Sequence, residues 1–385
     1  MSEWPTVKLG EVAEQTNHRV GELDVPIYSV TKYDGFVPSS EYFKKRVFSM
    51  DIRKYKLCTA GDFAYATIHL DEGSIGISPV KCGISPMYTT FRLNSLNISP
   101  DYLLRYLKSS RALTQYLTLG SGSAERRKSI KFTDLRKMEI PLPPLGEQKR
   151  IAEILGGVSK VIQKTKVQLL LVDSLGENKY LSLSKDADTF KSLKDLGVKK
   201  ITGKSIVAKP DNEHGVNQII KVSAVSSGRF IASESKPLPA DYEPNNLHEI
   251  HQGDLLFARA SGSANLLGAC CIVDKEIQHL YLPDKVWKLE VDEDILPKVY
   301  LLQALRGREF RSVAESHFSS STGVKNIKTS VLMEFKIPVL KQDQLNDYVH
   351  FVKTLDNLRH LLHRKLSLLQ ELQKSLSSRA FAGLL

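Results

Sequence analysis

Two stretches of the chain carry apolar residues at steps of three and four, the spacing of one face of a helix. Between Glu147 and about Leu183 they are Ile151, Leu155, Val158, Ile162, Leu169, Val172 and Leu183, with Thr165, Gly176 and Lys179 interrupting. In the second stretch they are Leu345, Tyr348, Val352, Leu355, Leu362, Leu366, Leu369 and Leu376, interrupted by Arg359 and Gln373. A seam of period ~3.5 is that of a coiled coil. Each helix would span ~50–60 Å at ~1.5 Å per residue. The alternative is an ordinary amphipathic helix packed on its own domain, but both stretches exceed the usual helix length. Two such helices in one chain most simply pair antiparallel, which would set two domains at opposite ends of a rod. Gly156-Gly157 is a weak point at which the first helix is expected to kink.

Ahead of each long helix the pattern is mixed. Val25–Val30, Asp62–Thr67 and Met87–Arg92 are short runs rich in β-branched and aromatic residues and predict strands. Ser99-Pro100 opens a helix expected over Asp101 to about Leu117, with serine as N-cap and proline at the first position. Pro297 leads into its counterpart, Val299 to about Val313. Gly120–Ser123 and Ser319–Gly323 follow as flexible loops. Pro141, Pro143 and Pro144 then stop the first mixed region.

The order of elements therefore occurs twice, and so do individual residues. Leu9-Gly10 recurs as Leu196-Gly197, and Ile27–Val30 as Ile219–Val222. Gly61-Asp62-Phe-Ala-Tyr-Ala recurs as Gly253-Asp254-Leu-Leu-Phe-Ala. Ile140-Pro141 with Glu147-Gln148 recurs as Ile337-Pro338 with Asp343-Gln344. An offset of about 190 residues is far too long for a solenoid and means two copies of one domain. Such a chain has an approximate two-fold axis and suits a ligand that has one too, of which duplex DNA is the commonest.

Composition narrows the partner. A net charge of +11 favours a polyanion. Cys58, Cys82, Cys270 and Cys271 form no C-x-x-C pair and suit free thiols in a reducing compartment. No apolar run reaches a membrane span and Met-Ser-Glu-Trp is no signal peptide, so the expected place is the cytoplasm, away from membranes.

Catalytic apparatus is hard to find. Gly120–Arg126 has the glycines of a phosphate loop without its Lys-Ser/Thr. His248 and His251 lack the H-E-x-x-H pattern of a zinc protease and suit solvated loop positions. Ser121, Ser123, Ser261 and Ser263 stand beside glycines but form no G-x-S-x-G. Pro210-Asp211 and Pro283-Asp284 suit turns better than nuclease carboxylates. No metal, cofactor or catalytic residue is expected. A catalytic site need not occur twice, whereas a reading head for a split site should.

The run Ile140-Pro-Leu-Pro-Pro-Leu-Gly-Glu-Gln-Lys-Arg-Ile-Ala-Glu-Ile154 resembles the segment joining a recognition domain to a helix in specificity subunits of type I restriction–modification systems. Trp4–Ala13, Gly253–Gly262 and Leu368–Leu384 are similar to other parts of that family, so the resemblance covers essentially the whole chain. The second copy, Ile337-Pro-Val-Leu-Lys-Gln-Asp-Gln344, lacks the double proline. The resemblance implies an α+β chain with two similar mixed α/β target-recognition domains, separated by two long antiparallel coiled-coil helices and related by a pseudo-two-fold. The boundaries would be 1–144 and 185–340 for the recognition domains, and 145–184 and 341–385 for the helices. It implies a non-enzymatic subunit that binds double-stranded DNA at a split site with an unread spacer. Its partners would be two methyltransferase subunits, which bring S-adenosylmethionine, and restriction subunits. The alternative from another class is a DNA-binding enzyme, a nuclease or a self-sufficient methyltransferase. The latter would need an S-adenosylmethionine loop and an N/D-P-P-Y/F motif, and neither is present.

Sequence is read at groove edges, so the reading side chains must project from loops. Three matched segments qualify. The first carries Lys32 and Tyr33, matched by Arg229. The second carries His69, matched by Arg259 and Ser261. The third carries Ser123, Arg126, Arg127 and Lys128, matched by Lys325, Asn326 and Lys328. Arginine bridges guanine, asparagine pairs adenine, and lysine mostly holds phosphate. Gly61-Asp62 and Gly253-Asp254 are expected to be structural, the glycine permitting a turn and the aspartate bonding nearby amides. Because the copies agree at scaffold positions and differ in the loops, the expected DNA site is asymmetric.

Overall fold

A computed structural model of the chain describes all residues except 1–3, 33, 44–46, 69, 71, 120–128, 207–213, 264, 265, 318, 322 and 323. The chain forms two compact units, Met1–Val167 with Arg364–Leu385, and Gln168–His363.

The first unit begins with β1 (Thr6–Lys8), α1 (Leu9–Val12) and β2 (Ala13–Thr16). Next come β3 (Ile27–Thr31), β4 (Gly35–Pro38), α2 (Ser39–Tyr42), β5 (Lys56–Cys58), β6 (Phe63–Ala66), β7 (Ile75–Ile77), β8 (Cys82–Ile84) and β9 (Tyr88–Leu93). Helices α3 (Pro100–Leu107), α4 (Ser110–Thr118) and α5 (Phe132–Leu135) lead through β10 (Glu139–Pro141) into the long α6 (Leu145–Lys185). The sheets are β2-β9-β6-β7, β4-β3-β8-β5 and the pair β1-β10.

The second unit has the same plan. It runs β11 (Phe190–Ser192), β12 (Lys199–Thr202), β13 (His214–Ile220), α7 (Ser223–Ser226), β14 (Ser235–Pro239), β15 (Leu255–Ala258), β16 (Ala260–Ser261), β17 (Cys270–Ile272), β18 (Leu280–Tyr281) and β19 (Val286–Glu290). Then come α8 (Lys298–Arg306), α9 (Arg308–Ser316), β20 (Ser319–Ser321), β21 (Val324–Asn326), α10 (Thr329–Met333), β22 (Lys336–Pro338) and α11 (Gln342–Phe381). Its sheets are β12-β19-β15-β17, β14-β13-β18, β16-β21-β20 and β11-β22. Even the parallel pairing is repeated, β3 with β8 and β13 with β18.

The repeat corrects one sequence match. Leu9 N donates to Met138 O and Leu193 N to Phe335 O, each just beyond the pairs β1-β10 and β11-β22. Leu193 is therefore the counterpart of Leu9, and both are fully buried. Gly10 is thus matched by Lys194, not by Gly197.

Each expected helix after the sheets is in fact two. Ser99 caps α3, accepting from Tyr102 N, and Ser109 caps α4, accepting from Ala112 N. In the second unit Gly307 makes the break between α8 and α9. A second cap lets the chain turn and bury Tyr106, Leu107, Ala112 and Tyr116 in one core. Tyr102 Oη donates to Pro141 O at 2.8 Å and Tyr300 Oη to Pro338 O at 3.0 Å, fastening each first helix to the strand before a long helix.

That fastening explains the proline-rich motif. Gln148 is fully buried. Its Oε1 accepts from Ser99 N at 2.8 Å, and its Nε2 donates to Asn97 O and Pro143 O, both at 2.9 Å. One amide thus ties the start of α6 to the start of α3. Gln344, by contrast, accepts from Lys341 N at 3.1 Å at an exposed site, consistent with the less faithful second motif.

Within each unit the long helices run antiparallel. In the first, Arg150 reaches Leu385 O and Gln373 Nε2 reaches Ser159 Oγ at 2.8 Å. The second unit packs Val172 with Leu355 and Leu362, and Arg359 pairs with Asp173 at 2.9 Å. The polar residues that interrupted the apolar pattern are thus accommodated: Arg359 and Gln373 pair across the seam, and Thr165 is buried with its hydroxyl on Val161 O. α6 continues unbroken through Gly156-Gly157, against the expected kink. The bare Gly156 lets the Arg105 guanidinium approach; a Cβ there would lie 2.8 Å from it.

Candidate nucleic-acid interface

The Gly-Asp pair that begins β6 and β15 is a corner built the same way twice. Gly61 has φ +90° and Gly253 +88°. Asp62 Oδ2 accepts from Thr59 N at 2.7 Å and Asp254 Oδ2 from His251 N at 2.9 Å. The expected structural role is thus what the geometry displays. The cation differs. Asp62 is met by Arg92 at 2.6 Å and Asp254 by Lys288 at 3.6 Å. The pairings Phe63↔Phe91 and Leu255↔Leu289 place Glu290 where the first unit has Arg92, and Lys288 where it has Thr90. The charge has moved two positions along the strand without being lost. Burial pulls the Asp62 carboxyl up, but Arg92 and the Thr59 donors outweigh it and hold it below the usual range. Such a saturated carboxylate is no acid or base. With no atom within 4 Å of an added Cβ at Gly61, alanine there would meet only backbone strain, and about 1–2 kcal/mol of destabilisation is expected in thermal unfolding.

Each corner launches a strand whose far end meets the segment ahead of α5 or α10. Ile130 N donates to Thr67 O at 2.9 Å and Ile327 N to Arg259 O at 2.8 Å. In the second unit the second and third segments singled out in the sequence therefore converge, and in the first Thr67 of the second segment meets Ile130. In the second unit, Ala260 lies opposite Asn326 and Ser261 opposite Lys325. Across the hairpin, Ser319 faces Asn326 and Ser320 faces Lys325. Here Ser319–Ser321 is a strand rather than the expected loop, because the free edge of β21, whose other edge pairs with β16, offers it a ladder.

The side chains differ in availability. Arg259 Nε donates to Asp284 O at 2.7 Å, and its guanidinium lies 3.9 Å from the Asp284 carboxylate and 5.9 Å from the centre of the Trp287 ring. Lys200, a cation the sequence reading passed over, stands 4.9 Å from the same ring. Ser261 is buried and its Oγ accepts from Ser263 N, a scaffold position. Lys325 and Asn326 are half-buried, and Lys328 is exposed at the start of α10.

The first segment lies elsewhere in the second unit. Arg229 donates to His363 Nε2 on α11 at 2.9 Å. In the first unit Lys32 stands 3.9 Å from Glu72. Tyr33, His69, Ser123, Arg126, Arg127 and Lys128 lie outside the described residues. Lys108 Nζ donates to Lys32 O and Arg306 Nη2 to Gly228 O; neither cation carried a sequence signal beyond that of any cation at a helix end.

Other chemistry is sparse among the described residues. No group of His, Cys, Asp and Glu there could hold a metal. His251 pairs with Glu276 at 3.1 Å. All four cysteines are buried and free. Burial raises Cys270 to about 11 and Cys271 to about 12, leaving both as inert thiols. Among the described residues no helix is long and apolar enough to cross a membrane.

Comparison with known proteins finds relatives of this architecture. Residues 1–171 match the model of the type I restriction modification DNA specificity domain. The chain is 24% identical to the EcoKI specificity subunit of Escherichia coli K12, over 79% of this chain and 69% of that one. It is 22% identical to the MjaVIII specificity subunit of Methanocaldococcus jannaschii, over 99% and 92%. Among solved structures, the type I restriction–modification S subunit from M. genitalium superposes with a TM-score of 0.57 at 15% identity, over 99% of this chain and 96% of that one. A chain from a structural account of complex assembly and conformational transition in a type I R-M system gives 0.56 at 16%, over 99% and 98%. These two likenesses support the fold, an α+β chain of two units with long helices. Sequence relatives and architecture agree: residues 1–171 match the specificity-domain family, and the chain over most of its length is similar to specificity subunits of type I restriction–modification systems.

Proposed function

We propose that this chain reads an asymmetric, split DNA sequence for a type I restriction–modification complex and positions the methyltransferase and restriction subunits on it. As a specificity subunit it is not itself an enzyme; the chemistry belongs to its partners. The repeated corner carries the reading. The same scaffold delivers different side chains to the same place in each unit. Counting from the paired amides of Ile130 and Ile327, Thr67 stands where the other unit has Arg259, and Ser129 where it has Asn326. Arginine and asparagine make bidentate contacts with guanine and adenine, which threonine and serine do not.

The recognition domains would be 1–144 and 185–340, with the helices between and after them as the spacer, and the working place would be the cytoplasm. Lys32, Tyr33, His69, Ser123, Arg126, Arg127, Lys128, Arg229, Arg259, Lys325, Asn326 and Lys328 are the candidate contacts. Ser261, buried, would act through the strand it belongs to.

Purified together with its methyltransferase subunits, the chain is expected to support methylation of a specific duplex. Methyl transfer by the chain alone would contradict the reading. Alanine at Arg126, Arg127 and Lys128 together is expected to weaken binding and to flatten the slope of log K against log salt by about 3, since each phosphate contact contributes about 0.9. An unchanged slope removes these residues from the phosphate contacts.

A further inference from the structure

Six residues beyond Tyr102 and Tyr300, the tyrosines that fasten each first helix, each unit places a cation: Lys108 and Arg306. Lys108 Nζ donates to Lys32 O at 3.3 Å. Arg306 donates to Gly228 O, and through Nη2 and Nε to Cys270 O at 3.0 and 3.3 Å, at the start of the edge strand β17. In both units, the end of the first helix thus grips a main-chain carbonyl of the segment after the early strand. The gripped segments are already braced from within: Thr31 Oγ1 accepts from Asp34 N, and Ser227 Oγ from Arg229 N. Burial pulls the Lys108 ammonium below its ordinary value, with Asp34 opposing. Lys108 is half-buried; Arg306 is exposed, but its guanidinium is spent on two carbonyls, and a cation so committed to its own chain is poorly placed to hold a phosphate as well.

We propose that Lys108 and Arg306 are positioning residues for recognition: they touch no DNA, and set the segments that carry Lys32 and Arg229 at the angle from which those side chains meet it. This rests on the reading of those segments as DNA contacts. Lysine holds one carbonyl and arginine two, so the second unit depends on its clamp more.

The test uses the full chain in complex with its methyltransferase subunits, on duplexes carrying the methylated site or single mismatches in either half. Arg306→Met is expected to cut discrimination in kcat/KM among mismatches of one half-site tenfold or more. The other half-site and the salt slope should stay unchanged, and Arg306→Lys should restore most of the loss. A salt slope lower by about 1 would make Arg306 a phosphate contact and overturn the proposal. Unaltered discrimination in Arg306→Met, with Arg229→Ala relaxed, would defeat the positioning role alone. Arg229→Ala that changes neither discrimination nor slope would defeat the underlying reading of its segment.

Discussion

Replacing Gln148 by leucine is expected to destabilise the first unit by about 4 kcal/mol. The side chain is fully buried and satisfies Ser99 N, Asn97 O and Pro143 O. Leucine fills a similar volume but leaves those three groups without a partner, at about 1–3 kcal/mol each where they stay dry. The same change at Gln344 removes one acceptor from Lys341 N at an exposed site and is expected to cost less than about 1 kcal/mol. Denaturant unfolding followed by a probe in each unit would separate the two, since a chain of two units need not unfold in one step. Equal losses at the two positions would contradict the role given to the proline-rich motif.

The second large effect concerns recognition. Asn326→Ala is expected to relax the choice of base at one position of one half-site by roughly five- to a hundredfold. That is the ~1–3 kcal/mol of a bidentate contact. Asn326 lies on β21, opposite Ala260 and Ser319. The salt slope of binding should not move, because asparagine neutralises no phosphate. Ser129→Ala, its positional counterpart, should have a much smaller effect. Competition among duplexes varied at each position checks both. Uniform weakening across all sequences would make Asn326 part of the scaffold.

Much of this was legible in the residues alone, for stated reasons. The long helices announced themselves through a period that no sheet shares, and the Gly-Asp corner through a turn residue next to an amide acceptor. What was hidden depended on pairing at a distance. The match of Leu9 with Leu193 needed the ladders β1-β10 and β11-β22, because local similarity favoured the nearby Leu196-Gly197. The split of each first helix was missed because Ser109 serves as readily inside a helix as at its start, until its neighbours' burial decides. Gly156-Gly157 suggested a kink because propensity sees no Arg105. At the interface, sequence spacing identified three segments, but not that two converge on one small sheet while Arg229 turns to His363. The exchange of Arg92 for Lys288 as the aspartate's partner left no signal in the sequence, because the scaffold keeps the charge, not the position.

The central claim is that one scaffold presents two different reading surfaces. Sequencing the methylated positions in the genome of a cell carrying this chain and its methyltransferase subunits tests it most directly. Two unrelated half-sites separated by an unread gap of fixed length are expected. Inverted copies of a single half-site, or one continuous sequence, would contradict it.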